Sequence, residues 1–218
     1  MARSSTPKRR TGTRGPANTA ALLAAAHRLV LERGENFTTQ DLIKEADVAL
    51  QTFYRHFGGK DQILLAVVGD LIEAHCQRLA EEGESLDSPI ERLRHYLFGT
   101  LSTLGPGTAG ARFMTSQHWR LHQELPEELA EATKPFADLI QSALEEGRDA
   151  GVFDTRRPEL DAWIINKLVV SVFHHFAYSD DAAAAEEAAE GVWSFCLAAV
   201  GGVDAPKAAP QHRARRSK

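Results

Sequence analysis

Only two cysteines occur in the 218 residues, Cys76 and Cys196, far apart inside helical-looking segments. That scarcity excludes a disulfide-stapled framework and fits buried thiols in a reducing cytoplasm. A secretory leader is also missing: Arg3, Lys8, Arg9, Arg10 and Arg14 crowd the N-terminus, but the first apolar run, around Ala20 to Val30, is interrupted by His27 and Arg28. No run is long or apolar enough to span a bilayer. The strict alternation of strands is absent as well; apolar residues recur at three and four, so the chain reads as all-α. These absences leave a cytoplasmic helical protein, and 43% hydrophobic residues suffice for a sizeable core.

Positive charge is scarce in the middle of the chain. Residues 1–60 hold 10 Lys/Arg against 5 Asp/Glu, a net of +5, whereas residues 61–202 hold 10 against 24, a net of −14. The last 16 residues return to +4, with 5 against 1. A body so acidic is repelled by phosphate, so only the basic head is suited to a polyanion.

Residues 1–16, rich in Ser, Thr, Gly, Pro and Arg, read as a disordered basic arm, either a solvated tail or an arm that touches DNA. A first helix follows from Asn18 to Arg33, with Leu22, Leu23, Ala26, Leu29 and Val30 on one face and Gly34 as its stop. Thr38 and Asp41 form a variant capping box before a short second helix carrying Leu42, Ile43 and Ala46 inward. Asp47-Val48 makes a tight turn, and a third helix spans about Leu50 to Phe57. A long helix runs from Lys60 toward Glu82. Further helices are expected at about 90–104, where Ser88 caps and Pro89 takes the first position, and at 110–123, 126–148, 158–178 and 183–200. Pro135 should kink or divide the third of these later helices. Residues 203–218 read as a disordered basic tail. The organisation is thus an arm at 1–16, a three-helix unit at 17–62, a helical body at 63–202 and the tail.

The segment QTFYRHFGGK, Gln51 to Lys60, mixes rings with water-seeking groups. At 100° per residue, Leu50, Phe53, Tyr54 and Phe57 share one face, while Gln51, Thr52, Arg55 and His56 fall on the other. The rings anchor the helix and the donors point outward, the geometry of a recognition helix that reads base edges and phosphates. The bland alternative is an ordinary amphipathic surface helix. The preceding capped helix, tight turn and positive local charge favour a helix-turn-helix.

From Phe37 to Leu65, FTTQDLIKEADVALQTFYRHFGGKDQILL, the sequence resembles the TetR family of transcriptional regulators. The shared pattern is a threonine-led second helix, a turn, a Tyr-x-His/Tyr-Phe ending and a lysine-led helix start. The resemblance implies an N-terminal three-helix helix-turn-helix DNA-binding domain followed by a larger helical ligand-binding and dimerisation domain. Carried over by position, Thr39 and Gln40 meet phosphate, Gln51, Thr52 and Arg55 face the major groove, and Tyr54, His56 and Lys60 hold the DNA backbone. Two positions depart from the pattern. Asp47 stands where the family has glycine, and Asp tolerates a left-handed backbone at some cost. Gly58-Gly59 replaces Pro-Ser, which removes a side-chain cap.

The body shows no convincing catalytic set. Gly105 to Gly110 matches G-x-G-x-x-G literally, but no strand precedes it, so it reads as an interhelical loop. His118 and His122, four apart on one helix, either bind a metal with a third ligand from His174, His175 or an acid, or are structural. A third use is as polar points in an apolar cavity lined by Phe113, Met114, Trp119, Phe136, Trp163 and Phe173. The wide apolar arcs of the last two helices, with Trp163, Ile164 and Phe195 among them, suggest a helix-pair interface in a homodimer. The expected function is a repressor, with no cofactor and no catalysis, released from a near-palindromic DNA operator by a small hydrophobic effector. A metal-binding or enzymatic protein using His118 and His122, and a ligand-independent DNA-binding protein, remain as alternatives.

Overall fold

The computed structural model describes residues 14–102 and 107–202, with the Arg14 side chain left aside. The expected arm and tail lie outside these residues except at 14–16, which form the first turn of a helix rather than an extension of the arm. Among the described residues there are nine helices and no strand: α1 Arg14–Arg33, α2 Thr39–Glu45, α3 Leu50–His56, α4 Lys60–Gly83, α5 Pro89–Ser102, α6 Ala109–Glu124, α7 Pro126–Asp149, α8 Pro158–Phe176 and α9 Ala182–Ala199. The protein is all-α, and none of these helices is long and apolar enough to cross a membrane.

Local chemistry sets the ends of the first helices. Thr38 accepts from the Asp41 amide at 3.1 Å while the Asp41 carboxylate accepts from the Thr38 amide at 2.8 Å, the reciprocal capping box. The two hydrogen bonds from Thr38 hold the Asp41 carboxyl below its usual range. At the turn into α3, Asp47 takes φ +51, the only non-glycine residue with a left-handed backbone among those described. At the start of α4 the glycine pair leaves no side-chain cap at Gly59, but Gln62, at the third helical position, reaches back and accepts the Gly58 amide at 2.5 Å. That bond ties the loop to the first turn of α4, while the amides of that turn keep no side-chain cap.

Two apolar clusters form the interior. The first joins Leu22, Leu29, Leu42, Phe53 and Phe57 of α1 to α3 with Ile63, Leu64 and Val67 of α4, and it also takes in Phe113, Leu121 and Leu129 from the body. The second contains Leu79, Leu93, Leu97, Phe136, Ile140, Leu144, Ile165 and Trp193. Helix α4 feeds both clusters, so the boundary expected at 62–63 falls inside one continuous helix. Helix α7 also feeds both and packs against α4, α5, α6 and α8. It runs through Pro135 without the division the sequence suggested. The buried stripe Leu129, Phe136, Ile140, Ala143 and Leu144 lies on both sides of the proline and holds the helix together across the missing hydrogen bond.

Candidate nucleic-acid interface and effector region

Helix α3 is held by two rings rather than three. Phe53 is fully buried and stacks at 6.1 Å on Phe57, itself buried, an anchorage of about 1.5–3 kcal/mol per ring. Leu50 and Tyr54, expected on the same inward face, are 40% and 56% exposed. Tyr54 thereby joins Gln51 and Arg55 on the open side of α3, with Thr52 half-buried beside them. On α2, Gln40 is exposed and Thr39 half-buried. Arg55 makes no ion pair among the described residues, unlike Arg28 and Arg33, which are held by Glu45 at 2.7 Å and Asp41 at 3.8 Å. A free guanidinium on an open helix face is available to phosphate or a guanine edge.

Two residues of the expected interface are turned elsewhere. His56, expected to point outward, is half-buried against α1: its Nδ1 pairs with Thr19 Oγ1 at 3.2 Å, and its Nε2 is buried without a partner. The α3 wheel places His56 away from the α3 core, yet the start of α1 occupies that side. Lys60 donates from Nζ to the Glu35 carbonyl at 2.6 Å and lies 4.7 Å over the Phe37 ring. Burial, then the Arg120 guanidinium, lowers its pKa below the usual lysine range. It fastens the start of α4 to the loop after α1 and has no side chain projecting freely for phosphate.

Helix α6, like α7, brings the body against this head, and two faces of α6 are buried. Phe113, Gln117 and Leu121, four apart, face the first cluster. Gln117 is fully buried; its Nε2 donates to Glu35 Oε2 at 2.5 Å, and its Oε1 has no partner. Arg120 pairs with Asp61 at the start of α4. Glu35 therefore joins Lys60 and Gln117 at one point. Sequence reading passed over Glu35 and Gln117, because a Gln within an apolar stripe looks like ordinary surface until both neighbours in the stripe are known to be buried.

The second face of α6 carries Ala111, Thr115 and His118 toward α8. The His118 and His174 rings lie 4.6 Å apart, and Thr115 Oγ1 meets His174 Nδ1 at 2.8 Å. His174 Nε2 is buried and unpartnered. Burial, then the neighbouring His118, pushes the His174 pKa down to about 4; burial, then Lys167 and His122, lowers that of His118. Both imidazoles are neutral at pH 7. Elsewhere between α5, α6, α8 and α9, Leu101, Ala111, Val172, Phe173, Phe176, Ala177 and Ala185 surround about 20 Å³ of free space, room for one water molecule.

Of the eight residues expected to line an effector cavity, Phe173 alone borders this cleft. His118 packs on the His174 ring, and neither imidazole is among the residues that line the cleft. Phe113 and Phe136 are core residues of the first and second clusters, and Met114 packs against the first. Trp119 and Trp163 are 58% and 54% exposed, and His122 is exposed. The expected set mixed several faces of three helices, which residue type alone could not separate. His118 and His122 do stack, parallel at 6.2 Å, but among the described residues no group of three His, Cys, Asp or Glu converges as a metal needs. The literal glycine pattern ends in a helix cap: Thr108 accepts from the Ala111 amide at 3.2 Å, and Gly107, at φ +68, donates to the Phe176 carbonyl.

Comparison with known proteins agrees with this geometry. The family model described as "Bacterial regulatory proteins, tetR family" matches residues 22–67, which contain α2, the turn and α3. An HTH-type transcriptional regulator HbdR of Aromatoleum sp. (strain CIB) is 33% identical over 75 residues, 34% of this chain and 33% of that protein, so the match spans about a third of the relative's length. Among solved structures, a TetR-family transcriptional regulator from Pectobacterium atrosepticum has a TM-score of 0.68 at 23% identity, covering 91% of this chain and 100% of that one. The transcriptional regulator FadR from Bacillus subtilis, solved in complex with stearoyl-CoA, has a TM-score of 0.66 at 19% identity, covering 85% and 100%. At these identities the two structures share the fold.

Proposed function

The chain belongs to the tetR family of bacterial regulatory proteins, and on that premise we propose that it is a cytoplasmic homodimeric repressor, without catalytic activity, released from DNA by a small hydrophobic effector. The single observation that carries the DNA-binding part is the open side of α3, where Gln51, Tyr54 and the unpaired Arg55 stand clear of a helix anchored by Phe53 and Phe57. Two such helices related by a two-fold axis meet successive major grooves and require a near-palindromic operator. Thr39 and Gln40 approach the flanking phosphates, and Thr52 supports the base-reading face. The basic segments at 1–13 and 203–218 supply further charge for the duplex.

Effector response is supported by the apolar cleft between α5, α6, α8 and α9 and by the α6 contacts that join it to Glu35, Lys60 and Asp61. A molecule entering the cleft separates α6 from α8, and α6 carries the displacement to the start of α4. Release follows when the bound form favours a head spacing that no longer fits both half-sites.

The test is fluorescence anisotropy with a duplex from the protein's own promoter region, titrated at several salt concentrations. Arg55→Ala is expected to weaken binding by about 10- to 100-fold, the loss of a charge-assisted contact worth about 1–3 kcal/mol. Lys60→Gln is expected to leave the salt slope unchanged, because its ammonium is already committed to the Glu35 carbonyl. No binding of the promoter duplex at moderate salt defeats the proposal. A slope reduced by about one in Lys60→Gln restores that lysine to the interface.

A further inference from the structure

Helix α3 has only seven residues and no side-chain cap at Ala49, so its placement depends on what packs against it. Phe53 and Phe57 hold it on one side. At 100° per residue, His56 falls about 60° round the helix from Phe53, on the flank away from Tyr54. There its Nδ1 meets Thr19 Oγ1 of α1 at 3.2 Å, and the same hydroxyl reaches the Gly15 carbonyl at 3.3 Å. One hydroxyl proton cannot serve both; with it on the carbonyl, the imidazole donates from Nδ1. The Cε1 edge of the ring faces Gly15, where an added Cβ would lie 4.0 Å away, and Nε2 is shielded from solvent. The ring fills the space between the end of α3 and the start of α1 and offers no nitrogen to a phosphate outside.

We propose that His56 is a positioning residue for DNA recognition: through Thr19 it stops α3 from rolling about its axis and so aims Gln51 and Arg55, without itself touching DNA. The inference rests on the DNA-binding reading of α3 above. Phe53 and Phe57 lie only about 40° apart on the wheel, so alone they act as one line about which the helix can roll. A tie at His56, about 100° from Phe57 and made to the start of α1, removes that freedom. With side-chain tips about 5–6 Å from the axis, a roll of about 20° moves a tip by about 2 Å, more than a bidentate base contact tolerates. Phosphate contacts, made to a continuous polyanion, survive such a shift. His56 therefore governs the preference for one sequence over another more than the overall hold on DNA.

The test is anisotropy with two duplexes, the promoter duplex and a scrambled one of equal length and composition, titrated with the full-length wild type, Thr19→Val, His56→Ala, their double variant, His56→Asn and His56→Gln, each at a temperature where thermal unfolding shows it folded. The promoter-to-scrambled affinity ratio is expected to fall about 10-fold in Thr19→Val and in His56→Ala and no further in the double variant, with the salt slope unchanged on both duplexes. His56→Asn, whose amide stands about where Nδ1 does, keeps most of the ratio; His56→Gln, whose amide lies about where Nε2 does, loses it. Should His56→Ala fail to fold, Thr19→Val and the Asn and Gln variants decide alone. A wild-type ratio in Thr19→Val, additive losses in the double variant, or rescue by glutamine in place of asparagine overturns the proposal. So does an equal loss on both duplexes with a slope reduced by about one in His56→Ala, the mark of a direct phosphate contact. A wild type without preference for the promoter duplex removes the DNA-binding reading and the proposal with it, whereas a wild-type preference that every variant retains removes the positioning role alone.

Discussion

At the scale of single residues, burial outweighs chemical type. His174 has a pKa of about 4 instead of the ordinary 6.5 because burial and the neighbouring His118 disfavour its charged form. Below pH 6.5 the unfolded chain takes up a proton that the folded ring refuses until about pH 4, so the ring lowers stability as pH falls through that window and leaves it unaffected above. After allowance for the ring's partial solvent access, the loss attributable to His174 between pH 7.5 and 5 is about 1 kcal/mol. Urea unfolding at the two pH values measures it: the wild type should lose that much more than His174→Phe, with His118 and His75, also lowered by burial, accounting for part of the remainder. Equal losses in the two proteins would place the effect elsewhere. None of this was legible in the sequence, where His118 drew notice through its spacing from His122 and His174 only as a spare ligand. The pairing that matters crosses 59 positions, from Thr115 to His174, and no local pattern announces it.

Elements were legible where their signals are local. The capping box at Thr38 and Asp41, the stop at Gly34 and the anchoring of α3 by Phe53 and Phe57 all depend on residues within a few positions of one another. Tyr54 and His56 were misplaced because a helical wheel assigns angles and cannot show which angles a neighbouring helix covers. Of the two outcomes expected at Pro135, division does not occur, for a related reason: proline weakens a helix locally, while the buried stripe on either side decides whether the helix continues. The turn between α2 and α3 tests how far local cost governs this motif. Asp47 occupies φ +51, which glycine adopts freely and other residues adopt at a cost of about 1 kcal/mol. Asp47→Gly should therefore raise stability by a few tenths to about 1 kcal/mol, and Asp47→Ala should lower it by about 0.5–1 kcal/mol. Thermal unfolding of the three proteins gives the order directly. If Asp47→Ala proves as stable as the wild type, the turn is not held in the left-handed conformation.

At the scale of the whole molecule, two clusters share α4 and α7, so head and body are joined through their interiors as well as by the loop contacts of Glu35 and Asp61. What remains open is the apolar surface the single chain does not cover. The sequence showed wide apolar arcs on the last two helices, and packing resolves them. Val192, Trp193, Leu197 and Val200 turn into the second cluster, while Trp163 at 54%, Ile164 at 46% and Phe195 at 63% stay exposed on α8 and α9. Exposed rings and branched chains of that size on two helices are the residue types that a second copy buries when helix pairs form a four-helix interface. A two-fold axis there would also set the distance between the two α3 helices. Replacing Trp163 and Phe195 together with glutamate should leave each chain folded, since neither side chain is buried in it, and should shift light-scattering mass from two chains to one. Promoter binding should fall by at least about 100-fold in the same variant, because each head then binds one half-site without its partner's contribution to effective concentration. A dimer mass retained by the double variant would move the interface to another face; a monomer that holds the operator as tightly as the parent would separate dimerisation from DNA recognition.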